Sequence, residues 1–243
     1  MPLKNKKQSM ASHLKQFKNP LYSTIGLEKF LDKHGCFNAK RVLDVGCGCG
    51  AVTNYMARKH PSVRFEGLDY NKYLIKKGKK IPANNALNNL ELSCGDLFKL
   101  PPRLKKTLDG IYNVHTLCCL KRMEPVMDSL ANLEPRWIAF NSLFYEGPLD
   151  TLIHIRDYKD SDITDDNPDG DFNIFSLPLT KKYLEKKGYK YFFYERFEIP
   201  KRLKKPPIGK RGTYTIKTEI SPRTQFSGPV YLPWYFVLAK KSI

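Results

Sequence analysis

Residues Arg41-Val42-Leu43-Asp44-Val45-Gly46-Cys47-Gly48-Cys49-Gly50 carry an apolar strand into three glycines at alternate positions, and Ala51-Val52-Thr53-Asn54-Tyr55-Met56 follows at once with helical patterning. Glycine lets the backbone approach a ligand closely, and the start of a helix offers free N–H groups to a carboxylate or phosphate. A strand, a glycine turn and a helix in this order constrain the chain to an α/β sheet that binds ligands along one edge. Glycines alone would be explained by a tight strand-to-helix connection. Two later residues argue for a ligand: Asp69, 23 positions after Gly46 and at the end of the next apolar run, and Asp96 after the third run. A carboxylate at the position of Asp69 can accept hydrogen bonds from both ribose hydroxyls of a nucleoside.

The alternation continues along the chain. Strands are predicted at Arg41–Val45, Arg64–Asp69, Leu90–Ser93, Gly110–His115, Arg136–Leu143, Tyr189–Phe197 and Trp234–Ala239, with helices at Ala51–Lys59, Leu74–Lys80, Glu124–Leu133 and Leu179–Lys187. Seven strands joined mostly by helices make a largely parallel sheet with helices on both faces. The connection from the sixth strand to the seventh is different: it is basic and Pro-rich, then alternates through Gly212-Thr213-Tyr214-Thr215-Ile216-Lys217-Thr218. An inserted β-hairpin at about 198–232 and an antiparallel last strand follow from it. Before the first strand, Leu14, Phe17, Leu21, Ile25, Leu27 and Phe30 predict short amphipathic helices, which either lie over the ligand edge or cover one edge of the sheet.

At 243 residues, with 41% hydrophobic and 12% aromatic residues, one well-filled domain is expected. No apolar run approaches the roughly 20 residues that span a bilayer, and no apolar stretch follows the basic first residues to complete a secretory signal; a cytoplasmic protein without membrane contact is the expectation. The six cysteines form no Cys-x-x-Cys pair, and Cys118 and Cys119 would point to opposite faces of a strand, so free thiols are expected in place of disulfides or a metal site. The acidic run from Asp160 to Asp171 lacks the ordered spacing and closing Glu of a calcium loop. The formal net charge of +18 makes RNA a candidate partner, with the densest basic cluster at Lys201, Arg202, Lys204, Lys205, Lys210 and Arg211. Lysine scattered over solvated faces explains the same charge.

From Val42 to Leu120 the sequence resembles the class I S-adenosylmethionine-dependent methyltransferases, a Rossmann-like family whose first motif is a hydrophobic strand, Asp, a spacer and a Gly-x-Gly-x-Gly turn. The resemblance implies residues 1–40 as a helical lid or cover and 41–243 as the methyltransferase domain. It also implies S-adenosylmethionine as cofactor. By position, Asp44, Gly46, Cys47, Gly48 and Gly50 would surround the methionine part, Asp69 the ribose with Tyr70 on the adenine, Asp96 and Leu97 the adenine edge, and Asn113 the sulfonium. A nicotinamide dinucleotide is the rival, since Gly46-x-Gly48-x-x-Ala51 fits a relaxed dinucleotide fingerprint. Asp44, the additional Gly50 and Asp96 count against it.

The Asn/Asp-Pro-Pro-aromatic tetrad of base and amide methyltransferases is absent after the fourth strand, and neither Cys118 nor Cys119 follows a proline as a cytosine-carbon nucleophile would. The segment resembles the small-molecule branch, which implies methyl transfer to a nitrogen or oxygen of a small or medium-sized acceptor. An RNA methyltransferase using the basic surface, or a non-catalytic binding module on a cofactor fold, are the alternatives. His115 is the first candidate base, because an imidazole titrating near 6.5 accepts a proton at neutral pH; packing against core or cofactor is its other reading. Tyr145, Glu146, His154 and Arg156 follow the fifth strand as candidates to recognise or deprotonate the acceptor. The stretch Arg223 to Tyr235 offers aromatics beside Arg223 and Gln225, either as a pocket wall or as hairpin packing.

Overall fold

The computed structural model describes residues 6–155, 170–208 and 212–242, without the side chains of residues 6–9, 11 and 12. Arg156, most of the acidic run (160–169), Lys210 and Arg211 lie outside the described residues. In chain order the elements are helices α1 (Lys6–Lys18) and α2 (Tyr22–Lys33), then β1 (Arg41–Val45), α3 (Ala51–Lys59), β2 (Arg64–Asp69), α4 (Lys72–Gly78), α5 (Pro82–Asn85), β3 (Leu90–Cys94), β4 (Gly110–Val114), α6 (Glu124–Ala131) and β5 (Trp137–Tyr145). There follow β6 (His154–Ile155), β7 (Gly170–Asp171), β8 (Phe175–Ser176), α7 (Leu177–Lys186), β9 (Tyr191–Arg196), β10 (Thr213–Ile216), β11 (Thr224–Ser227), β12 (Val230–Tyr231) and β13 (Trp234–Lys240).

The central sheet has the order β3-β2-β1-β4-β5-β13-β9, with β8 added beside the end of β5. β1 to β5 run parallel, whereas β13 is antiparallel to both β5 and β9. The predicted seven-stranded Rossmann-like sheet with an antiparallel last strand is therefore present. The insertion before β13 has one strand more than the predicted hairpin, forming a separate antiparallel sheet β10-β11-β12. Strand order reverses between β1 and β4, which opens a crevice beyond the carboxyl ends of those strands.

Alternation along the strands divides the core in two. Leu43, Val45, Ile111, Ile138, Phe140 and Val237 face α6 and α7 on one side; Val42, Tyr112, Ala139, Phe236 and Leu238 face α2 and α3 on the other. Each fully buried Leu, Val, Ile or Phe contributes about 1.5–3 kcal/mol, so these two layers fix the sheet between its helices.

Element starts follow their caps. Asn71 accepts from Tyr73 N and Leu74 N, so α4 begins at Lys72, two residues before the apolar pattern predicts. Ser176 Oγ accepts from Leu179 N, and with Pro178 in the first turn α7 begins at Leu177. β4 stops at Val114, one residue short of its predicted end, because His115 takes a left-handed φ of 58°.

Candidate functional site

Gly46, Gly48 and Gly50 have φ of 83°, 59° and 87°, a region that costs an ordinary residue roughly 1–2 kcal/mol. Space is limiting as well: a Cβ on Gly46 would collide with Thr116 Oγ1, and one on Gly48 would sit 2.8 Å from His13 Cε1. The turn is tied to the neighbouring strand. Gly46 N donates to Leu68 O at 2.7 Å, and Gly48 N donates to Asp69 Oδ2 at 2.8 Å. Asn71 N donates to the other carboxylate oxygen of Asp69 at 2.8 Å, so each oxygen keeps one further acceptor direction. Asp69 thus links the glycine turn to the end of β2 and remains able to take hydroxyl donors.

The other predicted positions divide between backbone and side-chain roles. Cys47 turns its thiol inward beside Ile75 and Leu92, so only its backbone belongs to the turn. Asp44 is buried behind the turn, where its Oδ2 accepts from Thr53 Oγ1 at 2.7 Å; burial raises its carboxyl to about 7, against the lowering effect of the Thr53 and Tyr112 hydroxyls. Asn113 is wholly buried: its Nδ2 donates to Val45 O and its Oδ1 accepts from Leu117 N, clamping the end of β1 to the turn after β4. Leu97 packs into the core.

Tyr70 and Asp96 lie open at the sheet edge, and Phe98, whose N–H donates to Asp96 Oδ1 at 2.9 Å, is half exposed beside them. Tyr70 and Phe98 therefore leave exposed ring surfaces next in sequence to Asp69 and two residues after Asp96. Phe98 escapes the sequence reading because nothing but its nearness to Asp96 marks it.

Across the crevice, His115 N donates to Asn141 O at 2.9 Å, and the imidazole packs against Trp234 with centroids 4.5 Å apart. Burial lowers the His115 pKa to about 4, with Asn141 opposing. Asn141 Oδ1 and Ser142 Oγ are buried without a well-formed hydrogen bond, one facing the His115 ring and the other the Cys118 thiol. Buried polar atoms left in this state are uncommon and call for a partner.

Cys118 and Cys119 do not point to opposite faces. They lie in a 3-10 turn, Leu117–Cys119, in place of a continuing strand, and both thiols donate to His115 O at 3.5 and 3.6 Å. The left-handed bend at His115 ends the strand and makes the period of two irrelevant there. Among the described residues no group of three or more His, Cys, Asp or Glu side chains could hold a metal ion.

A third apolar cluster stands over this side of the crevice. Cys118, Leu143, Ile174, Val230 and Leu232 form it, with Ile153, Phe172 and Trp234 packed against them. It gathers the turn after β4, the β6–β7 ribbon and the end of the insertion. Tyr145 is half exposed at the end of β5, and Glu146 beside it accepts from Tyr235 OH at 2.9 Å. His154 is exposed on β6 and paired with Asp171 at 2.6 Å; the Asp171 carboxylate in turn acts on the Cys119 thiol. In the insertion, Arg223 donates to Ile199 O and pairs with Glu198, while Tyr214, Phe226 and Tyr231 pack on one another, so those aromatics serve chiefly to hold its sheet together.

Residues 37–142 match a family model described as a methyltransferase domain. Trans-aconitate 2-methyltransferase from Mycobacterium tuberculosis is 32% identical over 83 residues, which are 34% of this chain; the match spans only about a quarter (26%) of that relative. Among solved structures, the N-terminal domain of EvdMO1, determined with SAH and D-fucose, superposes with a TM-score of 0.59 at 13% identity over 90% of this chain and 82% of that one. Magnesium protoporphyrin IX methyltransferase from Synechocystis, determined with SAM, gives 0.51 at 13% identity over 90% and 78%. At such identities these likenesses establish the fold. The chain thus has the Rossmann-like fold of these methyltransferases, and the part of it that contains the glycine turn, residues 37–142, is the part that matches a methyltransferase domain.

Proposed function

We propose that this protein transfers a methyl group from S-adenosylmethionine to an oxygen or nitrogen of a small, polar acceptor. The observation that supports the reading is the placement of two groups of residues at or just beyond the carboxyl ends of the parallel strands, one suited to a nucleoside and one to a polar acceptor. The first consists of the glycine turn, Asp69, Tyr70, Asp96 and Phe98; the second of His115, Asn141, Ser142 and Trp234 under the third apolar cluster.

When bound, S-adenosylmethionine supplies a methyl group already activated on a sulfonium. The chain's own task is then to hold, align and dry the reacting groups. Asp69 accepts from ribose hydroxyls, the backbone at Gly46 and Gly48 leaves room for the methionine part, and Tyr70 and Phe98 enclose the adenine. His115, uncharged at neutral pH because its pKa lies near 4, accepts a hydrogen bond or a proton from the acceptor. Asn141 and Ser142 orient the acceptor with their unpaired oxygens, while the apolar cluster excludes water. Tyr145 sits at the outer end of β5, where it meets the acceptor on entry, and His154 is a rim residue. Helix α1, through His13 beside Gly48, covers the donor side.

An acceptor rich in oxygen agrees with two similarities: trans-aconitate in the name of the curated relative, and D-fucose in the structure of EvdMO1. The excess of positive charge favours an anionic one. The test is transfer of radiolabelled methyl from S-adenosylmethionine to a panel of carboxylic acids, sugars, small amines and RNA. Label appearing in a small acceptor supports the reading; label appearing only in RNA contradicts it.

A further inference from the structure

Helix α1 lies against the glycine turn, and His13 is its point of closest approach. Built on Gly48, a Cβ would stand 2.8 Å from His13 Cε1 and 3.4 Å from each ring nitrogen. The imidazole is close enough to Asp69 for that carboxylate to pull its pKa upward, against a larger lowering by burial. His13 therefore stands over the same two residues, Gly48 and Asp69, whose amide and carboxylate are bonded to each other. Among the described residues its ring nitrogens have no hydrogen-bond partner.

The hold on α1 is weak. Met10, His13 and Phe17 share one face and are each only partly buried, while Leu14 is 45% exposed. In α2, by contrast, Leu27, Phe30 and Leu31 are buried against the sheet. A helix with no fully buried side chain among those described belongs to the low-stability end of a protein, where segments open without global unfolding.

From these observations we propose that α1 is a movable wall of the donor site, with His13 a donor-contacting residue. The inference rests on the donor assignment above. His13 supplies an N–H donor or a ring-nitrogen acceptor to the ribose or methionine end of the nucleoside, and α1 parts from α3 when donor and product exchange. Leu14 and the basic end of the helix remain in solvent throughout.

Calorimetric titration of the full chain with S-adenosylhomocysteine, combined with amide exchange of residues 6–18, tests this. H13A should bind at least tenfold more weakly with an unchanged melting temperature, H13N should recover part of the loss, and exchange over 6–18 should slow when the nucleoside binds. If the wild type binds normally, H13A stays within twofold of it and exchange over 6–18 is unaltered, the proposal is overturned while the donor assignment stands. Failure of the wild type to bind at all would overturn both.

Discussion

At His115 the backbone and the ring are both held away from their ordinary preferences: φ is 58°, and burial brings the imidazole pKa down to about 4. Left-handed residues other than glycine gather where function dictates geometry. A lowered pKa leaves the ring neutral through the physiological range, but makes it a weaker proton acceptor than a free histidine. If His115 takes the acceptor's proton, H115A should reduce single-turnover rates by roughly two to four orders of magnitude with donor affinity nearly unchanged. The acid limb that it controls should lie near pH 4, since activity falls only as the ring becomes charged. Retention of a limb near 6.5 in H115A would assign that limb to another group. Asp44 presents the opposite sign. Its carboxyl is raised to about 7 from an ordinary value near 4, so the folded chain holds a proton that the unfolded chain has released, and stability falls as pH rises through that window. D44N should match the wild type in thermal melts at pH 4 and exceed it at pH 8, by on the order of 1–3 kcal/mol; equal melting at both values would show that Asp44 is ionised without cost. Of the residues proposed around the site, Asp69 and Asp96 stand out in the sequence because Asp69 ends β2 and Asp96 follows β3 by two residues. Trp234 falls in the aromatic stretch that the sequence offers as a pocket wall or hairpin packing, whereas His13 and Thr116 carry no signal, because they reach the glycine turn from a distant segment or across a bend.

Elements built on local rules behave as the sequence suggests. The run from Arg41 to Lys59 needs only an apolar strand, glycines with positive φ and a helix start, and all of these are local. G46A puts a side chain at φ 83° against Thr116; a loss of about 1–2 kcal/mol from the backbone alone corresponds to a melting point lower by roughly 2–8 °C. Adding T116G should relieve the collision but leave the backbone strain, so recovery should be partial. Wild-type melting of G46A would contradict the crowding. The elements that sequence reading misses are short ones made by tertiary pairing: β6 to β8, and the 3-10 turn at Leu117–Cys119, where an apparent strand extension is bent away. The basic insertion is legible by composition but not in its role. Lys201 packs over Tyr22 and Lys205 over Tyr214, which gives part of that charge a structural use. Replacing Lys201, Arg202, Lys204 and Lys205 with Gln should therefore leave turnover on a small acceptor within about twofold. A polyanionic acceptor would instead give weaker binding with a shallower salt dependence, lower by about 0.7 in logarithmic slope per lost contact to a single strand, measurable by filter binding across a salt series.

In the whole molecule, a sheet buried on both faces fixes where strands β1 to β5 end, and those ends supply both halves of the crevice. The fold is legible because alternating strands and helices leave few ways to pack, whereas the third apolar cluster, beside the proposed acceptor site, joins segments more than a hundred residues apart, such as Cys118 and Leu232, with no periodic signal to connect them. Among the described residues no helix is long and apolar enough to cross a membrane. The central claim is that the edge around Asp69 holds the nucleoside of the methyl donor. Calorimetric titration with S-adenosylhomocysteine measures this directly, comparing the wild type with D69A. The account predicts saturable one-to-one binding by the wild type and a loss of about 1.5–3 kcal/mol in the variant, because a charged acceptor for ribose hydroxyls has been removed. No uptake by the folded wild type, or equal affinity in D69A, would contradict it.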